Sequence, residues 1–388
     1  MHILIIPSFY PTEDNGVNGV FFKEQAEGLA LVGNKIGIIY PELRSIKKIS
    51  ISQIRKNYFQ RSIYIENNVN IIRRHCWNIV PTKFLLGNKL WVRANLGLFE
   101  LYIEKYGVPD IIHAHCALWS GEVARVIKKK YGIPYVITEH STAFARGDIK
   151  EKYKKYIYDI YNDSEKLIAV SGKFANILKE YRKDIEVVYN MVDCEYFSKN
   201  IRTNKDKVFK IFTVCFLNNK KGVDILIKAF AKAFRDTDNI KLVIGGDGPM
   251  KKELVKLAED EGIRDKVEFL GLLNRAEVRA GFEEANYFVL PSYVETFGVV
   301  FIEAMSMGIP VIGSICGGPE EFITKDVGEL IEVGDINELA RKMSEMRNNI
   351  DKYDFNNIRN YVTSKFDKKV ICNKLQYIYK EVLEKRTK

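Results

Sequence analysis

Glu295 and Glu303 lie eight residues apart on either side of Gly298, in the stretch PSYVETFGVVFIEAMSMGIPVIGSICGGP that runs from Pro291 to Pro319. Tyr287-Phe288-Val289-Leu290 reads as a buried strand ending at Pro291, and Glu295-Thr296-Phe297 as the loop after it. From Gly298 onward, Val299, Ile302, Ala304, Met305 and Met307 keep helical spacing until Gly308-Ile309-Pro310 stops them, and Val311-Ile312 opens another strand. A strand, a tight turn and a helix with little side-chain bulk in its first turn make an anion site. N–H groups from Phe297 through Gly298 and Val299 to Val300 would face a phosphate, with the helix dipole behind them. Carboxylates on either side can accept hydrogen bonds from the hydroxyls of a ribose and of a second sugar. That layout suits a nucleotide-sugar. On spacing alone it also describes an ordinary βα unit with two solvated glutamates.

Other candidates fall at similar turns. Lys220-Lys221-Gly222 follows the first strand of the second half, where a lysine beside a glycine can reach a phosphate. Gly245-Gly246-Asp247-Gly248-Pro249 forms a second strand-to-helix glycine turn. In the first half, the polar loop Tyr10 to Asn18, with Gly16 and Gly19, follows the opening strand, a common position for a ligand crevice. It is not GxGxxG, so the dinucleotide signature is absent. His115, Glu139 and His140 end the apolar runs from Pro109 and Tyr135, and the carboxyl ends of parallel strands line ligand crevices. His115 reads as a hydrogen-bonded structural residue.

The elements that must position these groups alternate throughout. Strands are expected at Ile3–Ile6, Ile36–Tyr40, Pro109–His115, Tyr135–His140, Leu167–Ser171 and Val187–Tyr189, with a helix over Gly19–Leu31. A long helical stretch from Thr82 to Tyr106 presents Phe84, Leu85, Trp91 and Leu98 at mixed spacing. The polar run Ser198 to Lys207 marks a boundary, and the alternation restarts with Phe209–Phe216, Asp224–Phe234, Lys241–Ile244 and Val267–Leu270. The fold class is α/β: two Rossmann-like parallel-sheet domains, with their strand ends expected to face one another across a cleft.

The chain has 388 residues, 46% apolar and 28% charged, which is enough for two domains and excludes a disordered protein. No apolar run is long enough to span a bilayer, and Met1 to Ile6 reads as a buried strand rather than a signal peptide. Six scattered cysteines without a CxxC pair suit reduced thiols in a cytoplasm. The net charge of +10 is uneven: residues 1–200 hold 29 basic and 21 acidic residues, against 31 and 29 in 201–388. Within Arg44 to Arg74, where the alternation breaks down, Lys47, Lys48, Arg55, Lys56 and Arg61 are interleaved with Tyr58 and Phe59. Such a stretch could sit on an anionic membrane or bind nucleic acid. With no nucleic-acid motif beside it, the membrane is preferred, and a solvated face explains it equally well.

Four ordered motifs, KKGVDILIKAF, IGGDGP, VEFLG and PSYVETFGVVFIEAMSMGIPVI, resemble the retaining nucleotide-sugar glycosyltransferases of family 4, with their two-Rossmann glycosyltransferase-B (GT-B) fold. The last motif contains the family's Glu-x7-Glu element as Glu295 and Glu303. PSFYPTEDNGVNGVFFKEQA is similar to the opening of bacterial members that build surface polysaccharides such as capsule or O-antigen, and YNMVDCEYF matches the segment before the family's linker.

The resemblance implies an acceptor-binding domain over residues 1–199, a donor-binding domain over 207–367, and a terminal helix, 368–388, crossing back to the first. Glu303 would bind the donor ribose. Glu295 would contact the donor sugar, beside backbone N–H groups of Phe297, Gly298 and Val299. Lys221 would neutralise the departing diphosphate, with Lys220 in reserve and Gly246 and Gly248 nearby. Gly19 would lie against phosphates or acceptor, and His140 near the reacting sugar. Where the family usually carries an arginine five residues before the lysine, this chain has Phe216. The expected reaction transfers a sugar, UDP-sugar favoured, to a glycan or polyprenyl-diphosphate-linked acceptor with retention. No cofactor is expected, and metal-independent catalysis is expected on the reading that the chain has no Asp-x-Asp to hold a divalent metal. The expected location is the cytoplasm, peripheral on the inner membrane face. A nucleotide-sugar epimerase of the same fold and a non-catalytic anionic-lipid-binding protein are the alternatives.

Overall fold

The structure is a computed structural model that describes residues 1–12, 16, 19–45, 50–78, 84–198 and 208–387. The chain divides into two compact units, Met1–Tyr189 with Lys368–Lys388, and Asn190–Asp367.

The first unit runs β1 (His2–Ile6), α1 (Val20–Leu31), β2 (Lys35–Ser45), α2 (Ile51–Lys56), β3 (Arg61–Glu66), β4 (Val69–Asn78), α3 (Phe84–Tyr106), β5 (Ile111–His115), α4 (Glu122–Tyr131), β6 (Tyr135–Glu139), α5 (Thr142–Ala145), α6 (Glu151–Asp163), β7 (Lys166–Ala169), α7 (Gly172–Leu178) and β8 (Ile185–Val187). Its sheet has the order β3-β4-β2-β1-β5-β6-β7-β8, and all neighbours are parallel except β3 with β4. The central strands β1, β5 and β6 are almost wholly buried, as a parallel sheet covered on both faces requires.

The second unit runs β9 (Phe209–Val214), α8 (Val223–Phe234), β10 (Ile240–Gly245), α9 (Lys251–Asp260), β11 (Val267–Gly271), α10 (Arg275–Glu284), β12 (Tyr287–Leu290), α11 (Val299–Ser306), β13 (Val311–Ser314), β14 (Gly328–Ile331), α12 (Ile336–Asn348) and α13 (Phe355–Phe366). Its six strands are all parallel in the order β11-β10-β9-β12-β13-β14. The core lies where α8 and α12 cover β9, β10 and β12, with Ile211, Leu226, Phe230, Leu242, Tyr287 and Met343 at its centre. The last helix, α14 (Lys368–Thr387), packs on the first unit. Its Tyr379 hydroxyl lies 2.7 Å from His113 Nδ1, and its Lys374 donates to the Val187 carbonyl at 2.7 Å.

Two sequence expectations differ from what is observed. The described residues of Arg44 to Arg74 include regular elements: β2 continues to Ser45, and Arg61 to Asn78 form an antiparallel hairpin on the sheet edge. Its turn is Asn67-Asn68, closed by the Glu66–Val69 pair, with φ of 47° and 63°. Two positive φ values make a primed turn, which twists with the strands it joins. Asn-Asn is a weaker signal for such a turn than Asn-Gly, so the hairpin is hard to see in the sequence. In α3, Trp91 and Leu98 are buried rather than presented to solvent.

The hairpin carries a stability prediction. Asn68→Val places a β-branched residue at positive φ and is expected to destabilise by about 1–2 kcal/mol, while Asn68→Gly holds or gains stability. Denaturant midpoints of the three proteins would check this, and a wild-type midpoint for Asn68→Val would count against the turn.

Candidate active site

In the second unit the chain leaves β9 towards β10 and β11 on one side, and later builds β12, β13 and β14 on the other. The loops after β9 and β12 therefore part at the carboxyl ends of adjacent strands, where open α/β sheets bind ligands. Lys221 is in the first loop and Glu295 in the second. Their side chains meet there, with Lys221 Nζ 2.5 Å from Glu295 Oε1, and the Ser292 hydroxyl donates to the same oxygen at 3.0 Å.

Backbone packing holds the two loops together. The Tyr293 N–H donates to the Lys220 carbonyl at 2.7 Å, and the Glu295 N–H to the Cys316 carbonyl at 3.3 Å. Gly222 has φ 63°, and a Cβ on it would lie 2.1 Å from the Pro291 carbonyl oxygen. Only glycine fits. Gly246 and Gly248 let the loop after β10 approach in the same way: a Cβ on them would lie 1.9 Å from Cys215 O and 2.4 Å from Leu217 O. Their glycine character thus follows from packing between loops.

Glu295 is buried, 8% exposed. Burial opposes the charge of Lys221, but the Glu295 carboxylate outweighs it and raises the lysine pKa, so the lysine is charged at neutral pH. Cys215 and Cys316 stand in the same field, and burial pushes each thiol up to about 12, with Glu295 adding to the shift. Both are neutral thiols.

The helix beyond Glu295 begins at Gly298, which has φ 98° and caps α11. No acidic residue lies in the first turn of α11, so its N-terminal field is uncompensated locally. The Phe297 side chain is fully buried against Phe322 and Phe366, leaving only its backbone for any ligand. Glu303 is on the same helix, and its carboxylate receives Arg275 Nη1 at 3.4 Å. Burial raises the Glu303 pKa to about 7, with Arg275 opposing. Phe216 is 61% exposed in the loop after β9.

The sequence does contain an Asp-x-Asp, Asp236-Thr237-Asp238, against the expectation. It lies in the turn between α8 and β10, at the amino end of that strand and away from the loops that hold Lys221 and Glu295. Among the described residues no group of three or more His, Cys, Asp or Glu is placed to hold a metal ion.

The first unit has a crevice of different character, where the loops after β1 and β5 part. Gly19, φ 82°, caps α1, and a Cβ on it would lie 2.7 Å from the Phe9 carbonyl oxygen. His140 Nε2 is 3.1 Å from His115 Nδ1, and the rings of Phe21 and Phe22 pack against them. Burial lowers the His140 pKa to about 3 and that of His115 well below normal, so both are neutral imidazoles. Glu139 is a structural anchor. It accepts from the N–H groups of Ala117, His140 and Ser141 and from the Tyr161 hydroxyl. The strained turn after β5, with φ 69° at Cys116 and 75° at Trp119, is held in part through Glu139.

Of the basic stretch, Lys47 and Lys48 lie outside the described residues, as does the side chain of Lys56. Arg55, Tyr58, Phe59 and Arg61 are exposed, together with Ile51, Ile54, Ile63 and Ile65.

Sequence reasoning did not reach Ser292, Arg275, Cys215 or Cys316. Ser292 was the most accessible, being three residues before Glu295 within the same motif. Nothing local marks Arg275, whose partner is 28 residues away.

The family model for Glycosyl transferases group 1 matches residues 196–359, and that for Glycosyltransferase Family 4 matches residues 20–196. The N-acetyl-alpha-D-glucosaminyl L-malate synthase of Bacillus anthracis is 31% identical over 387 residues, covering 95% of this chain and 94% of that one. The chain belongs to glycosyltransferase family 4. It is a glycosyltransferase of the GT-B type. Among solved structures, sucrose-phosphate synthase from Thermosynechococcus elongatus superposes with a TM-score of 0.81 at 19% identity, covering 99% of this chain and 100% of that one. Anabaena HepE in complex with UDP gives 0.71 at 18% identity, covering 98% and 100%.

The ion pair makes a testable case in the ligand-free glycosyltransferase. Lys221→Met leaves a buried carboxylate unpaired and is expected to destabilise by about 1–3 kcal/mol, reduced from a fully buried pair because the lysine is partly exposed. Adding Glu295→Gln should recover more than half of that loss. A double-mutant cycle by denaturant unfolding would decide, and additive losses would mean that the contact contributes nothing.

Proposed function

We propose that this glycosyltransferase moves a sugar from a nucleoside diphosphate, UDP favoured, to a hydroxyl of a glycan or lipid-linked acceptor with retention and without a metal. The observation that carries this is the Lys221–Glu295 pair at the switch point of the second sheet, beside the glycine-capped N-terminus of α11. UDP as the favoured carrier draws support from the UDP complex of HepE.

The leaving diphosphate would meet two sources of positive field. Lys221 offers a full charge, which Glu295 keeps protonated and aimed. The α11 N-terminus offers oriented N–H groups that need no reorganisation when charge develops. Glu295 would contact the donor sugar and Glu303 the ribose. As the bond from the anomeric carbon to the diphosphate oxygen breaks, the acceptor oxygen bonds to the same face and passes its proton to the departing phosphate. His140, a neutral imidazole, is suited to hydrogen-bond a sugar hydroxyl rather than to act as a cation.

The test is incubation with a panel of nucleotide-sugars. Release of nucleoside diphosphate supports a transferase, a changed sugar an epimerase, and no turnover a binding protein. Lys221→Ala should lower turnover on the order of 10², the size typical of losing one electrostatic stabiliser. Glu303→Ala should chiefly weaken donor binding and Glu295→Ala turnover. A loss below tenfold in Lys221→Ala would move the role to Lys220 or to the helix N-terminus.

A peripheral membrane site is a second element of this reading. The exposed face around Arg55, Tyr58, Phe59 and Arg61 joins apolar side chains to cations, with Tyr58 66% and Phe59 53% exposed. Among the described residues no helix is long and apolar enough to cross a membrane. Each basic residue near an anionic surface contributes about 1 kcal/mol, weakened by salt. Co-sedimentation with anionic vesicles at low salt should exceed that with neutral ones, and Arg55→Glu with Arg61→Glu should remove the difference. Equal binding to both lipid types would leave these residues as a solvated surface.

A further inference from the structure

Arg275 is the first residue of α10, whose start is fixed by a capping box between Asn274 and Glu277. From there its side chain crosses the faces of two aromatic rings, with the guanidinium carbon 4.7 Å from the Phe197 ring centre and 5.1 Å from that of Tyr196. The far edge of the guanidinium reaches Glu303 Oε1 at 3.4 Å. An arginine laid along aromatic rings loses little freedom on pairing, because its planar fork is already oriented.

The rings are themselves fixed. Phe197 is fully buried, and its carbonyl accepts from the Ser306 hydroxyl at 2.9 Å and from Arg359 Nη1 at 3.2 Å. Arg359 also donates to the carbonyls of Ser306 and Cys194, at 2.7 and 2.9 Å. Ser306 is three residues beyond Glu303 on α11. The segment Cys194 to Phe197 therefore ties α11, which carries Glu303, to α10, which carries the arginine that faces it.

We propose that Arg275, seated on Tyr196 and Phe197, is a positioning residue that aims the Glu303 carboxylate at the ribose hydroxyls of the donor and keeps it able to accept from both. This rests on the reading of Glu303 as the ribose ligand. A ribose diol has two O–H donors, and a carboxylate can accept both, whereas a neutral carboxyl gives up one acceptor position to its own proton. Burial drives Glu303 towards that neutral form, and Arg275 is the charged side chain that opposes it. Of the two cations of α13, Arg359 is engaged by the backbone carbonyls of Cys194, Phe197 and Ser306, and Lys365 lies over the Tyr361 ring.

Two readouts test this. The first is the carboxyl titration of Glu303, followed by NMR with 13C-glutamate and assigned by its loss in Glu303→Gln. Arg275→Met, which keeps the bulk and removes the charge, should move the midpoint up by about one pH unit or more, a tenfold change in the ionisation equilibrium. Arg275→Lys and Phe197→Leu should fall between it and wild type. The second readout is UDP affinity by calorimetry from pH 6 to 9, with Glu303→Gln as the baseline that carries the ligand's own titration. Relative to that baseline, wild-type affinity should rise with pH through about 7, because the acceptor form is the ionised one. In Arg275→Met it should be about fivefold to tenfold weaker at pH 7 and recover towards pH 9. An unchanged Glu303 midpoint in Arg275→Met, or a loss of affinity equal at every pH, overturns the proposal. UDP affinity unchanged in Glu303→Gln overturns instead the ribose reading, while a shifted midpoint would still support the hold of Arg275 on the carboxylate.

Discussion

Gly222 is where the candidate site is decided. Without a side chain there, the loop after β9 can lie directly against the Pro291 carbonyl, and Lys221 arrives within bonding distance of Glu295. A methyl group at that point would lie 2.1 Å from the Pro291 oxygen and force the two loops apart. The site therefore depends on a steric condition before it depends on any charge. The same device recurs at Gly246 and Gly248, each against a carbonyl of the loop after β9. Three strand-to-helix loops are locked by backbone contact, so the side chains they carry need little further support.

The two units use the same topological position for different electrostatics. In the second, a full ion pair and a helix with no acidic residue in its first turn lie at this position. In the first, two histidines made neutral by burial lie among phenylalanine rings, and the nearby carboxylate, Glu139, is satisfied by four donors of its own unit. A crevice of the second kind suits a charged ligand. One of the first kind offers hydrogen bonds and apolar faces without a net field, as a sugar or an uncharged hydroxyl requires.

The parts of the fold that sequence pattern revealed were the fully buried strands and the turns cut by glycine or proline. β1, β5, β6 and β12 read as apolar runs because both of their faces are covered, and α11 as a periodic segment bounded by Gly298 and Gly308. The β3–β4 hairpin was not legible. Its edge strand exposes Ile63 and Ile65, so no core face marks it, and its turn lacks glycine. In α3 the mixed spacing of Trp91 and Leu98 concealed their burial. At the site, residues joined within one motif could be found from spacing, whereas Arg275 reaches Glu303 only through the packing of α10 and α11 against Phe197. Long-range partners leave no local periodicity.

With Phe216 in the loop after β9, the charges near Lys221 are closely balanced. Lys221 and Glu295 cancel formally, and Cys215 and Cys316 are held as neutral thiols. In the proposed reaction an approaching diphosphate would therefore meet no net charge from these four side chains together. What would remain is orientation: the ammonium group, the first-turn N–H groups of α11, and the carboxylate that also accepts from Ser292. Fixed dipoles of this kind act strongly only where water is excluded and their direction is set in advance. The close backbone contacts at Gly222, Gly246 and Gly248 hold the loop that carries Lys221, so in the proposed reaction its direction would be set before a diphosphate arrives.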